Sequence, residues 1–163
     1  MTNDIIPFTW GEMERLHREV AAKIVNNNFS PDIIIGILRC AMVPATHLAY
    51  ILNINELGSI SIRTTPSDDI LVKKTIPPKV CLTYPLEKVR NKKILLVDTV
   101  MASGTSVMLS IKSIAKYSPA SIKTAIMVDW PNSTYDIKSG GSRPIPDFIG
   151  TTVEKWPDFP WEH

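Results

Sequence analysis

Cysteine is almost missing from this chain of 163 residues. Its two copies, Cys40 and Cys81, cannot build a disulfide framework, and neither belongs to a Cys-x-x-Cys pair. Histidine is nearly as scarce. His17, His47 and His163 are far apart in sequence and form no His-Glu-x-x-His or Cys/His cluster, so no metal-ligand spacing is written into the chain. No apolar run reaches the ~18 residues that a membrane-crossing helix requires. The start, Met1-Thr2-Asn3-Asp4, lacks the basic and apolar segments of a secretory leader. The expectation is a soluble, cytoplasmic protein with no membrane contact. Charge is close to balanced, with 18 Lys plus Arg against 16 Asp plus Glu and a net charge of +2. That is too mild for a nucleic-acid groove, so any anionic ligand has to be held by local geometry.

What remains is an ordinary globular composition, 44% hydrophobic and 21% charged. A mass of 18.2 kDa fits one domain, and a domain this size buries about 70% of its unfolded surface, enough to fold without staples. Neither an internal repeat nor a linker divides the chain.

Thr9-Trp10-Gly11-Glu12 has capping-box spacing, and Met13, Leu16, Val20 and Ile24 follow at helical intervals, predicting a helix over 10–26. Ile33 to Leu38 is short, β-branched and apolar on both faces, as in a buried parallel strand. Val43-Pro44 opens a second helix through about Leu52, and Ser59 to Arg63 alternates as a strand. Thr64 to Pro78 is polar and proline-bearing, hence an irregular loop, with Val80 to Thr83 a possible strand after it. Lys93 to Val97 and Ile122 to Val128 are buried strands around a helix marked by Val107, Ile111 and Ile114, and Phe148-Ile149-Gly150 is a possible last strand. Strand and helix alternate, so the fold class is α/β with a mostly parallel twisted sheet flanked by helices.

The most informative stretch runs from Ile94 to Ser106. A buried strand delivers Asp98 to its carboxyl end, where open α/β sheets bind ligands. A turn of small residues follows, and then a helix begins. Free N–H groups at that helix start, with the hydroxyls of Ser103, Thr105 and Ser106, can wrap a phosphate monoester, and Gly104 permits close approach or a positive φ. The turn has no lysine, so it is not the G-x-x-x-x-G-K-[ST] loop, and G-x-G-x-x-G is absent too.

This stretch resembles the signature of the type I phosphoribosyltransferases: an apolar run, two acids, a short apolar step and a Thr/Ser-Gly-Thr/Ser turn. Ile33 to Ala45 is similar to the diphosphate-loop segment of the xanthine-guanine and hypoxanthine branch, and Trp156-Pro157-Asp158-Phe159-Pro160-Trp161-Glu162 to its tail. The resemblance implies a single domain over 1–163, with a five-stranded core over about 9–128 and a small hood mainly from 129–163. It further implies that Ala102, Ser103, Gly104, Thr105 and Ser106 hold a 5′-phosphate, and that Asp98 and Thr99 serve the ribose as the catalytic pair. Leu38, Arg39, Cys40 and Ala41 would hold diphosphate, with Asp129, Trp156 and Pro157 at the base. Phe159 and Trp161 would pack the hood down.

The chain departs from the family pattern at Thr99, where the second acid stands, and at Cys40-Ala41, where two glycines are usual. Two further departures bear on the base. The 6-oxopurine enzymes place a lysine at the position of Asp129 and an aspartate at that of Ala102. A carboxylate accepts from an exocyclic amine where a lysine donates to a carbonyl, which points to adenine. Lys73, Lys74 and Asp68-Asp69 would belong to a mobile lid. The implied activity is purine salvage: a base and phosphoribosyl diphosphate yield a nucleoside monophosphate and diphosphate. Mg²⁺ would rest on the ligand's own oxygens rather than on protein side chains, in a homodimer or higher homo-oligomer. The alternative is a non-catalytic, nucleotide-sensing regulator on the same fold.

Overall fold

The computed structural model describes residues 5–63, 79–82, 86–131 and 143–163. The expected lid residues fall outside these, as does the rest of 64–78.

Helix α1 (Trp10–Asn26) begins where the capping box predicts. Thr9 Oγ1 accepts from the Glu12 N–H at 3.2 Å, and Glu12 Oε2 accepts from the Thr9 N–H at 2.7 Å, so two otherwise orphaned donors are satisfied reciprocally. The helix buries Met13, Leu16, Val20 and Ile24. It is preceded by β1 (Ile5–Pro7) and followed by β2 (Ile33–Leu38), α2 (Met42–Leu52), β3 (Leu57–Arg63) and β4 (Lys79–Leu82). After a short 3₁₀ turn at Leu86–Val89 come β5 (Lys93–Met101), α3 (Thr105–Ala115), β6 (Ser121–Asp129), β7 (Phe148–Thr152) and β8 (Trp156–Asp158).

The main sheet has the order β4-β3-β2-β5-β6-β7. All neighbours run parallel except β4, which returns antiparallel beside β3. Six strands rather than five make the sheet, because Phe148–Thr152, assigned from the resemblance to a hood, pairs with β6 from Ala125 to Asp129. A separate pair joins the chain's two ends: β1 lies parallel to β8, with Ile6 opposite Pro157. Periodicity could not reveal strands of three residues that exist only through each other. Among the described residues no helix is long and apolar enough to cross a membrane.

Each face of the sheet has its own core. Leu16, Val20, Ile34, Leu48 and Leu95 belong to the cluster under α1 and α2, while Ile35, Leu96, Val107, Ile114 and Ile126 belong to the cluster under α3. Each such side chain contributes roughly 1.5–3 kcal/mol on burial, so the apolar strands fix the sheet from both sides.

The topology locates the crevice. From β2 the chain moves outward to β3, and from β5 it moves the other way to β6, so the order reverses between β2 and β5. These strands pair only as far as Gly36 opposite Val97, and their carboxyl ends then lead into separate loops, the position at which open α/β sheets take ligands.

Gly36 lets α2 approach the sheet beside this crevice. A Cβ there would stand 2.9 Å from Met42 Sδ, 3.1 Å from Ala45 Cβ and 3.2 Å from the Ala41 carbonyl. Gly36→Val is therefore expected to destabilise by roughly 1–3 kcal/mol and lower the melting temperature in a calorimetric scan. An unchanged melting temperature would show that α2 does not pack as described.

Candidate active site

Strand β5 carries Asp98 at the sheet's carboxyl side and continues to Met101, held by β6 through Val100 opposite Val128 and Met101 opposite Asp129. The strand thus runs beyond the predicted Val97, because pairing with β6 outweighs the small-residue turn signal. Asp98 Oδ1 accepts from the Thr99 N–H at 2.8 Å. Burial pushes its carboxyl up to about 7, with that N–H pulling the other way. Thr99 is buried, and its hydroxyl finds no partner among the described residues. Adjacent strand residues point to opposite faces, so the Asp98 and Thr99 side chains leave β5 on opposite sides.

The next residues form the turn. Gly104 has φ +74 and caps α3, a conformation that favours glycine. Ser103 Oγ lies 2.9 Å from Thr105 Oγ1, and the Thr105 N–H points to Ser103 Oγ at 3.4 Å. Among the described residues, the N–H groups of Ala102, Gly104 and Ser106 make no hydrogen bond. Three open donors stand at the start of an eleven-residue helix, where unpaired amides and the helix dipole favour an anion.

Across the crevice, β2 ends in Leu38 and the chain turns through Arg39, Cys40 and Ala41 into α2; the Leu38–Arg39 peptide is cis. Met42 and Val43 spend their N–H groups on the carbonyls of Arg39 and Cys40, at 3.2 and 3.3 Å. The N–H groups of Cys40 and Ala41 have no partner among the described residues, so side chains in place of the usual glycines still leave donors open. The Cys40 thiol donates to Glu162 Oε1 at 3.5 Å. Burial, then the charge of Glu162 and its hydrogen bond, then the charge of Asp98, push that thiol up to about 11. Cys40 is therefore a protonated packing group at neutral pH, and the field it feels shows that the loop, the β5 acid and the C-terminal tail converge.

At the end of β6, Asp129 is buried and forms an ion pair with Arg143. The same guanidinium donates from Nε to the Ala102 carbonyl at 2.8 Å and from Nη2 to the Met101 carbonyl at 3.1 Å. The Asp129 carboxylate, expected from the sequence to meet a base's amine, is thus already engaged. Trp156 is half-buried and stands edge-on to Trp130, with ring centroids 5.1 Å apart, near the end of β6. Pro157 is buried within the β1–β8 pair. Phe159 and Trp161 stack at 5.2 Å, and Phe8 stacks on Phe159 at 5.8 Å, packing the tail onto the body as expected.

The structure therefore gathers residues 38–41, Asp98 and 102–106 around one crevice and links Asp129 to it through Arg143. Two residues at the site were not read from the sequence as functional. Arg143 follows a Gly/Ser-rich stretch without periodicity, and nothing in the pattern marks its partner. Glu162 lies within the tail motif, but the contact with Cys40 spans 122 residues of chain.

A phosphoribosyl transferase domain model matches residues 8–159. The chain belongs to the phosphoribosyl transferase domain family. Its sheet order and flanking helices are those of the type I phosphoribosyltransferase fold. Solved structures agree. A purine phosphoribosyltransferase from Pyrococcus horikoshii Ot3 is 26% identical, with a TM-score of 0.77 over 98% of this chain and 95% of that one. A hypothetical protein from Neisseria gonorrhoeae with bound ppGpp is 24% identical, with a TM-score of 0.78 over 100% of this chain and 92% of that one. The Helicobacter pylori xanthine-guanine-hypoxanthine phosphoribosyltransferase shares the fold at 16% identity and a TM-score of 0.66, over 97% of this chain and 93% of that one. Comparison with curated proteins finds no match.

Proposed function

We propose that this phosphoribosyltransferase-family protein joins a purine base to phosphoribosyl diphosphate, forming a nucleoside 5′-monophosphate and releasing diphosphate in purine salvage. The observation that carries the reading is the set of open amides at Ala102, Gly104 and Ser106 after β5, the strand that carries Asp98, with a second set at Cys40 and Ala41 after the neighbouring strand β2. One set suits the 5′-phosphate and the other the departing diphosphate, with Asp98 accepting from the ribose hydroxyls between them. Arg39, exposed at the head of its loop, adds positive charge on the diphosphate side. Fixed donors aimed at the diphosphate stabilise the charge that grows there as the bond to ribose C1 breaks.

Among the described residues no cluster of three His, Cys, Asp or Glu side chains is placed to hold a metal. Mg²⁺ would be carried on substrate oxygens, the usual habit of this ion. When bound it neutralises leaving-group charge. The protein's part is to place the ribose and both phosphate groups.

Trp156 offers an aromatic face to the base, which holds a purine ring without choosing among purines. Adenine is what a free carboxylate at position 129 would select. With Arg143 on that carboxylate, position 129 no longer selects an amine, and a purine is the class we assign. Diphosphate release measured with adenine, hypoxanthine, guanine and xanthine in turn tests the reading. Turnover with at least one purine is expected, and none with any of the four would overturn the enzymatic assignment.

A second reading, a nucleotide-sensing regulator without turnover, is favoured by Thr99 in place of the second acid, and a protein of this fold from Neisseria gonorrhoeae holds ppGpp. The same assay separates the two: a sensor binds nucleotide and releases no diphosphate.

A further inference from the structure

A peptide unit is planar and trans, so its N–H and C=O point in opposite directions. Gripping a carbonyl therefore aims the amide of the following residue. The guanidinium of Arg143 grips two consecutive carbonyls, those of Met101 and Ala102, at the entrance to the phosphate turn. The Met101 carbonyl is held twice, since it also accepts from the Trp130 N–H at 3.0 Å. Both donors come from the β6 side of β5, because Trp130 follows β6 directly and Arg143 is fixed by Asp129 at the end of that strand. The Ala102 N–H shares its peptide with the Met101 carbonyl, so it is directed away from β6 and toward β2, the side of the crevice. It makes no hydrogen bond among the described residues. The Ser103 N–H is turned in the same way by the hold on the Ala102 carbonyl.

We infer that Arg143 is a positioning residue for the phosphate turn: anchored by the buried carboxylate of Asp129, it holds the carbonyls of Met101 and Ala102 to one side so that the amides behind them face the ligand's 5′-phosphate. The inference rests on the assignment of residues 102–106 to that phosphate. It gives Asp129 a role other than base recognition, as the group that fixes the guanidinium. It also accounts for arginine rather than lysine, since the rigid fork spreads its donors over Nε and Nη2, a reach that the single nitrogen of lysine does not reproduce. Pro144 adds a second contact from the same segment, lying where a Cβ on Gly104 would meet its ring at 2.5 Å.

The test is calorimetric titration of the full chain with purine nucleoside 5′-monophosphates and with the matching nucleosides, which lack the phosphate. The variants are Arg143→Met, Arg143→Lys and Asp129→Asn, each verified as folded by its melting curve. Arg143→Met should weaken monophosphate binding by about tenfold or more, the equivalent of one good hydrogen bond, and leave nucleoside affinity unchanged. Arg143→Lys should not restore it, and Asp129→Asn should show the same phosphate-selective loss. Equal losses for nucleoside and nucleotide would mean a merely structural role and overturn the inference. A loss in Arg143→Met that Arg143→Lys repairs, or that Asp129→Asn does not share, would mean that Arg143 touches the phosphate directly, and would overturn it too. Should the unaltered protein bind no monophosphate, the phosphate-site assignment itself falls, and the inference with it.

Discussion

Gly104→Val is expected to abolish binding of a nucleoside 5′-monophosphate, with at least a hundredfold loss of affinity in calorimetry. Two effects act together. Position 104 has φ +74, which a β-branched residue adopts only under strain, costing about 1–2 kcal/mol or more. The new side chain also starts 2.5 Å from Pro144 Cδ and 2.7 Å from Cγ, so the segment that braces the turn must be pushed away. The N–H groups of Ala102, Gly104 and Ser106 can serve one phosphate only while the turn keeps its shape, and the hydroxyls of Ser103, Thr105 and Ser106 move with it. A loss of stability should accompany the loss of binding. Wild-type affinity in a folded Gly104→Val protein would remove the phosphate from this turn.

The second large effect belongs to Asp98→Asn, and it runs in opposite directions for activity and stability. The Asp98 carboxyl, normally near 3.8, is raised to about 7 by burial. A folded-state value above the unfolded one means that the native protein is relatively most stable below about pH 4. It loses stability as the pH rises through 7 and levels off beyond, because the folded state must then hold a poorly solvated charge. Asparagine keeps the shape and cannot ionise. The variant's stability should therefore be flatter across pH 4–8 and exceed that of the unaltered protein at pH 8, by on the order of a few kcal/mol at about 1.4 kcal/mol per pKa unit. Turnover should fall by roughly 10²–10³-fold, the usual cost of removing one preorganised group at the reacting centre. Melting temperatures across pH, set beside diphosphate release, check both halves. A variant less stable than its parent at pH 8 would contradict the burial argument, and undiminished turnover would contradict the role of Asp98.

Much of this was legible in the sequence, because it was local. The capping box at Thr9 and Glu12, the apolar strands at 33–38 and 93–97, and the small-residue turn around Gly104 each carry their signal within a few neighbouring residues. What escaped depends on contacts between distant segments. Strands β1 and β8 exist only through each other, and the place of β7 in the main sheet rather than in a hood is set by β6. The extension of β5 through Asp98 to Met101 comes from pairing with β6. Asp129 shows the same limit. Its position at a strand end could be read, but its partner Arg143 is 14 residues further on, and only the folded chain brings them together.

The most direct test of the whole account is a crystal structure with a purine nucleoside 5′-monophosphate bound. Its phosphoryl oxygens should lie among the amides of residues 102–106, with the ribose hydroxyls on Asp98 and the ring against Trp156. Density for the nucleotide at any other place, with the turn after β5 empty, would contradict it.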